Sequence, residues 1–196
     1  MLLDRKVFLI KEQVEFMKLA GTYDIFDPET GKQIAAAKEE PGGMIKFLRL
    51  LIKKQMLPNK INIYDNEGQG VAISISKPCS LLRSKVSVFN QTGECLGFFK
   101  SKVFTIGGGF WVFDPAENKV AEIKGDWKGW NFQFVGTDNR VIGTITKKWA
   151  GAVKEIFTSA DNYVVSLEEA AELDPNRVAL LLAAGLAIDT VFKEGK

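Results

Sequence analysis

Histidine is absent from this chain of 196 residues, and cysteine occurs only twice, at Cys79 and Cys95. Without histidine there is no Ser-His-Asp or Cys-His catalytic group, no histidine-ligated metal and no histidine pH switch. Two cysteines sixteen positions apart cannot build a disulfide framework or a cysteine-rich metal site. Carboxylates are plentiful, but no recognisable motif organises a pair of them for catalysis. We therefore expect no catalytic residues, no metal site and no cofactor.

A long hydrophobic segment is also missing. The N-terminus carries charges at Asp4, Arg5 and Lys6, where a signal peptide needs an apolar core. The longest apolar run, 178–188, has eleven residues and is followed by Asp189. A membrane-spanning helix needs about 20 apolar residues, whereas a run of about 10–14 is typical of a buried core helix. We favour the core helix over a membrane span and expect a cytoplasmic protein.

The sequence does contain a repeated pattern, in which a short β-branched or aromatic run ends in a turn. The turns are marked by Asp27, Asp65, Asn90, Asp114 and Asp138. Asp and Asn hydrogen-bond their own backbone in turns, and neighbouring Gly or Pro residues suit the turn dihedrals. Five such hairpins predict a mainly antiparallel sheet. Further strands are predicted at 6–10, 14–18, 103–106 and 163–166, and closing a sheet of about a dozen strands would remove its exposed edges.

Two helix starts are predicted near the C-terminus. Ser166 and Glu169 fit a capping box. Asp174 followed by Pro175 fits the N-cap and first position of a longer helix over 175–192.

The longer helix is apolar on every side of its middle, so it must be surrounded by protein. We therefore predict that the sheet closes around it as a barrel, with Leu180 and Leu186 in the core. Asp189 is expected at the barrel mouth, bonded to strand N–H groups or to a lysine, because a buried carboxylate without partners is costly. The alternative for Asp189 is a place in a proton or ion pathway.

Several short segments occur in the order found in a known family. They are 10–16, 23–25, 31–33, 96–98, 104–106, 159–163 and, at the end of the apolar helix, 186–189. On these segments the chain resembles the phospholipid scramblases and the plant LURP-one-related proteins of the Tubby C-terminal-domain-like superfamily. The resemblance implies one domain over 1–196: a closed antiparallel barrel of about twelve strands, within about 5–166, around a hydrophobic C-terminal helix.

The chain departs from that family at two places. Animal scramblases carry a cysteine-rich, palmitoylated segment, where this chain has only Cys79. They also carry a calcium segment before the final helix, and here Ser159 and Ala170 stand where carboxylates would be. Calcium takes about six to eight oxygen ligands, and Asp161 with Asn162 supply too few. We expect neither acyl anchoring nor a calcium site.

Charge is distributed unevenly although the net charge is only +2. Residues 42–102 hold ten basic and three acidic side chains, and residues 155–196 hold three basic and eight acidic. Within the basic stretch, 44–56 predicts a basic amphipathic helix, which is typical of a membrane-surface element. Its predicted lipid-binding residues are Lys46, Arg49, Lys53 and Lys54, and its apolar face is Met44, Phe47, Leu48 and Leu51. The alternative is a helix that caps one barrel mouth, with a merely solvated basic face.

A second cluster combines lysine and tryptophan at 124–130, with Trp149 further along. This combination suits a lipid headgroup layer or single-stranded nucleic acid, although tryptophan on a strand more often packs against neighbours. A net charge of +2 and an isoelectric point of about 8.4 fall short of the basic footprint of a nucleic-acid-binding domain. We expect no nucleic-acid partner.

These observations lead to two functional hypotheses. The first is a cytoplasmic, non-catalytic barrel that binds anionic phospholipid membranes peripherally, as a tether or scaffold. The second is a soluble binding or scaffold module for a protein or small molecule, with no lipid role. An enzymatic function has no support beyond generic carboxylates.

Overall fold

The computed structural model describes residues 1–13, 20–48, 51–52, 56–68, 70–79, 85–102, 109–126, 129–147, 162–168, 171 and 173–192. After a 3₁₀ turn at Leu2–Asp4, the strands are β1 (Val7–Glu12), β2 (Thr22–Phe26), β3 (Gln33–Glu39), β4 (Asn59–Asp65), β5 (Val71–Lys77), β6 (Lys85–Asn90), β7 (Cys95–Ser101), β8 (Phe110–Phe113), β9 (Lys119–Asp126), β10 (Asn131–Gly136), β11 (Val141–Thr146) and β12 (Asn162–Leu167). Two helices, α1 (Gly43–Leu48) and α2 (Pro175–Phe192), complete the fold.

The twelve strands form a closed barrel in which each strand pairs with its neighbours in sequence. All these pairings are antiparallel, and β1 closes the ring against β12, with Leu9 opposite Val164 and Ile10 opposite Tyr163. The predicted barrel around a hydrophobic C-terminal helix is confirmed. The predicted strands at 14–18 and 103–106 fall outside the described residues.

Because consecutive strands alternate in direction, their connections alternate between the two ends of the barrel. One end, the turn end, carries the hairpins β2–β3, β4–β5, β6–β7, β8–β9 and β10–β11. The other, the loop end, carries the remaining strand connections, including the one that contains α1. Helix α2 follows β12, so it begins at the turn end and runs through the barrel to the loop end.

The five turns predicted from Asp and Asn all lie at the turn end. In each, a side-chain oxygen accepts a backbone N–H a few residues further on. The five bonds are Glu29 to Asp27 (2.8 Å), Glu67 to Asp65 (3.0 Å), Thr92 to Asn90 (3.0 Å), Asn118 to Asp114 (2.8 Å) and Arg140 to Asp138 (3.0 Å). These local bonds explain why the hairpins could be found in the sequence.

Helix α2 fills the barrel. All of its residues from Val178 to Asp189 are buried, and Leu186 is 0% exposed. Glycines bring the helix close to the wall: a Cβ at Gly143 would lie 2.7 Å from Leu181, and one at Gly185 would lie 2.8 Å from Val165. Neither α1 nor the described part of α2 has the length and hydrophobicity that a membrane span requires.

The two predicted helix starts have different outcomes. Asp174 caps α2, because its carboxylate accepts the N–H groups of Asn176 (3.2 Å) and Arg177 (3.3 Å). The capping box at Ser166 is wrong, since Ser166 lies inside β12. Its hydroxyl instead bonds the Thr144 hydroxyl across the strand pair, at 2.7 Å. The β-sheet pairing of Ser166 with β1 and β11 outweighs the local helix signal.

Candidate functional site

Helix α1 lies at the loop end, between β3 and β4, and none of its residues is buried. Two of its apolar side chains face solvent, since Met44 is 80% exposed and Phe47 is 71% exposed, whereas Ile45 and Leu48 are half-buried. In the turn that follows, Leu51 is 77% exposed and Ile52 is 39% exposed. A helix that capped the barrel mouth would bury this apolar face. These four exposed apolar side chains, all within nine residues of sequence, form a patch of the kind that marks an interaction surface.

The predicted helix over 44–56 is helical at Gly43–Leu48, whereas the described Leu51, Ile52 and Met56 are not α-helical; 49–50 and 53–55 fall outside the described residues. The Leu48 carbonyl oxygen accepts the N–H groups of both Leu51 (3.0 Å) and Ile52 (2.8 Å). Of the four predicted lipid-binding residues, Lys46 is exposed on α1, and Arg49, Lys53 and Lys54 fall outside the described residues.

Lysines gather at the loop end. They lie on α1, in the half of each strand nearest that end, or just beyond it: Lys11, Lys38, Lys46, Lys60, Lys77, Lys85, Lys100, Lys102, Lys124 and Lys147. In the described part of the chain they outnumber the acidic side chains of the same end, which are Glu12, Glu39, Glu40, Asp126 and Asp189. The loop end therefore carries net positive charge beside the exposed apolar patch.

The turn end has the opposite charge. Its acidic side chains include Asp4, Asp27, Glu29, Asp65, Glu67, Glu94, Asp114, Glu117, Asp138 and Asp174. Its described basic side chains are fewer: Arg5, Lys6, Lys32, Lys119, Arg140 and Arg177. The barrel is thus polarised along its axis, and its field favours presenting the loop end to a negatively charged surface.

Several of the loop-end lysines have an aromatic ring close to their ammonium group. Lys85 and Lys100 lie directly opposite each other on β6 and β7, and their ammonium nitrogens are 4.0 Å and 5.0 Å from the centre of the Phe98 ring. Sequence reasoning missed this pair, although the alternation of residues 98 and 100 on one strand gave a signal for it. Among the described residues, neither lysine has an acidic side chain within ion-pair distance.

Other lysines at this end are neutralised. Lys102 and Lys124 pair with Glu122 on the barrel wall, as does Lys119 from the far end of β9. Burial opposes ionisation of Glu122, but bonds from Lys102 and Lys119 outweigh it, so the pKa of this carboxyl lies below its usual value. These ion pairs neutralise Lys102, Lys119 and Lys124 and reduce their contribution to an external contact.

In the cluster of lysine and tryptophan, the described tryptophan is a packing residue. Trp130 is half-buried, and its ring lies 5.1 Å from the Tyr163 ring and 5.8 Å from the Phe132 ring. It therefore packs against the barrel, with Lys147 4.7 Å from its centre. Trp127 and Trp149 fall outside the described residues.

Asp189 is buried (3% exposed) near the loop end, where α2 finishes. Burial raises the pKa values of Tyr23 and Tyr163 well above normal, and the charge of Asp189 adds to both shifts. The carboxylate therefore shares an apolar interior with two phenols. Its role at the barrel mouth stays a prediction.

A calcium site receives no support from the described part of the chain. No three Cys, Asp or Glu side chains there are arranged to hold a metal ion. Ser159, Asp161 and Ala170, the positions compared with the scramblase calcium segment, fall outside it.

Comparison with known proteins gives the family of this chain. The family model described as Scramblase matches residues 1–195. The chain belongs to the Scramblase family. Human phospholipid scramblase 2 is 25% identical over 208 aligned positions, which cover 96% of this chain and 67% of the human protein. Human phospholipid scramblase 1 is also 25% identical, over 70% of this chain and 46% of its own length.

A yeast relative is similar at a lower level. The Altered inheritance rate of mitochondria protein 25 of Saccharomyces cerevisiae is 21% identical over 85% of this chain and 60% of its own length. The chain thus spans between about half and two thirds of these three relatives. No solved structure matches.

Proposed function

We propose that this Scramblase-family barrel binds anionic phospholipid membranes peripherally, with its loop end towards the lipid. The observation that carries the proposal is the exposed apolar patch of Met44, Phe47, Leu51 and Ile52 beside Lys46, at the positively charged end of the barrel. The name of the relatives, phospholipid scramblase, points to phospholipid as the class of molecule recognised. Binding and tethering, rather than a chemical reaction, are the proposed activity.

Two kinds of contact act together in this arrangement. The apolar patch enters the interface between headgroups and acyl chains, while Lys46 and the predicted Arg49, Lys53 and Lys54 stay at the headgroups. Lys85 and Lys100 on the barrel wall add a second basic contact. The acidic turn end points away from the membrane, because like charges repel.

The apolar contribution can be sized from the exposed side chains. Fully burying one Phe, Met or Leu side chain contributes about 1.5–3 kcal/mol. Half of that for each of Met44, Phe47 and Leu51 gives about 2.3–4.5 kcal/mol, or roughly 40- to 1600-fold in binding. Each basic residue near an anionic leaflet adds about 1 kcal/mol at physiological salt. Neither contribution alone holds a protein firmly on a membrane, so both are needed.

Co-sedimentation with liposomes tests this function. The purified protein is mixed with vesicles of phosphatidylcholine alone, or with added phosphatidylserine, at low and at high salt. We expect binding to the anionic vesicles that becomes weaker at high salt, because the screening length falls to about 3 Å in about 1 M salt. Absence of binding to both vesicles would contradict the proposal and favour a soluble binding module.

Two variants separate the contacts. Met44→Ser, Phe47→Ser and Leu51→Ser together should lower binding to anionic vesicles at least about 10-fold at every salt concentration. Lys46, Arg49, Lys53 and Lys54, all changed to Gln, should remove most of the salt-sensitive part with the fold intact, leaving only the share due to Lys85 and Lys100. A charge-matched control changes Lys32, Lys119, Arg140 and Arg177 at the turn end to Gln. Equal loss in the control would show that net charge, and not the loop end, governs binding.

A further inference from the structure

A cavity of about 510 Å³ opens at the turn end, which is the end of the barrel opposite to α1. It lies where the β8–β9 and β10–β11 hairpins meet the start of α2. Its apolar lining comes from Leu96 on β7, Val120 on β9, Phe134 on β10, Ile142 on β11 and Leu180 on α2. Its volume falls within the range of about 300–1,000 Å³ that is typical of small-molecule sites.

Three carboxylates from three different elements line the same cavity. They are Asp114 after β8, Asp138 in the β10–β11 turn and Asp174 at the start of α2. Each is held in place by backbone N–H groups, so its position is set before any ligand arrives. Bonds from the side chain and backbone of Asn118 hold the pKa of Asp114 below its usual value.

The arginine side chains near these carboxylates form only long ion pairs with them. Arg177, which also lines the cavity, lies 4.0 Å from Asp174, and its side chain is 48% exposed. Arg140 lies 3.5 Å from Asp138, and its side chain is 85% exposed. The lining therefore keeps a net negative charge. The N-terminus of α2 would oppose a cation through its dipole, but Asp174 accepts the first-turn N–H groups and offsets that field.

We infer that this cavity binds a small amphiphilic organic cation. Its apolar body would lie on Leu180, Phe134 and Val120, and its ammonium group would lie between Asp114 and Asp138. An anionic ligand would meet unfavourable charge at the mouth, and a neutral one would forgo the carboxylates. The inference is independent of the membrane proposal, since the cavity and α1 lie at opposite ends of the barrel.

Three probes with the same apolar body but different charge test the inference. They are 4-phenylbutylamine, 4-phenylbutanol and 5-phenylvalerate, titrated separately into the full chain at neutral pH. Methyl NMR follows Leu180, Val120 and Ile142 as reporters, with Met44 and Leu51 as distant controls. A ligand of about ten non-hydrogen atoms should bind with a dissociation constant in the millimolar range or below.

The amine should shift the cavity methyls and bind at least about 5-fold more tightly than the alcohol, whereas the acid should leave them unchanged. Asp114→Asn with Asp138→Asn should weaken amine binding at least about 5-fold. Asparagine can keep the turn bonds to the backbone, so the fold should remain. Glu29→Gln, at the same end but outside the cavity, should have no effect.

Two results would overturn the inference. One is equal binding of amine and acid, or unchanged cavity methyls with all three probes. The other is undiminished amine binding in the double Asn variant. Thr137→Trp provides a further check, because a large side chain at the exposed rim should block entry to the cavity. Unaltered amine binding in that variant would place the probe elsewhere.

Discussion

The position of α2 inside the barrel gives a sharp prediction for Leu186→Ala. Leu186 is 0% exposed, and truncating a buried leucine costs about 2–5 kcal/mol through lost burial and the cavity left behind. Taking about 3 kcal/mol, and about 2–4 °C per kcal/mol for a protein of this size, the melting temperature should fall by about 6–12 °C. Circular dichroism during thermal and urea unfolding measures both changes, and the urea midpoint should fall by about 1 M or more.

Leu51→Ala is the matched control. It removes the same atoms from a side chain that is 77% exposed, so it should change stability by no more than about 0.5 kcal/mol. If the two variants unfold together, or if Leu186→Ala costs less than about 1 kcal/mol, the helix does not fill the barrel. Leu186→Asp gives a second check, because a buried charge should prevent soluble expression. Folded Leu186→Asp protein that merely lost membrane attachment would contradict the core position.

Three further changes test local features by the same unfolding assay. Gly143→Ala should destabilise by about 1–3 kcal/mol, because its Cβ would meet Leu181 at 2.7 Å; an unchanged midpoint would refute that contact. Tyr163→Phe should be neutral or stabilising, because the buried hydroxyl has no hydrogen-bond partner in the described structure; a loss above about 1 kcal/mol would reveal one. Burial opposes ionisation of Asp27, but backbone N–H groups and Arg5 outweigh it and lower its pKa. Asp27→Asn should therefore cost about 1–2 kcal/mol at pH 7, and this difference should shrink as the pH falls below about 4.

The parts of the fold that could be predicted are those with local causes. Asp27, Asp65 and Asp138 each satisfy their own turn, so the hairpins were visible without any knowledge of the partner strands. The cap at Asp174 and the apolar surface of α2 likewise depend only on neighbours in sequence. Ser166 misled because the competing interaction, its pairing with Thr144, comes from a residue 22 positions away.

The candidate site was harder to predict because the hydrophobic pattern does not show whether an apolar side chain is buried or exposed. The apolar face of α1 fits equally a helix that packs on the barrel and one that faces solvent, and only the structure shows Phe47 exposed. The contribution of Lys85 and Lys100 depends on strand register, which places them opposite each other over Phe98. The cavity was invisible because its walls come from β7 to β11 and α2.

The axial charge separation follows from the chemistry of the turns. Four of the five turn-forming residues are Asp27, Asp65, Asp114 and Asp138, and the antiparallel barrel puts every one of these turns at the same end. Carboxylates chosen to shape the hairpins therefore make that end acidic, whatever its function. Lysines placed near the opposite strand ends, from Lys11 to Lys147, then complete a dipole along the barrel axis. A barrel built in this way can approach an anionic surface favourably with its loop end, which is the end where the exposed apolar side chains of α1 lie.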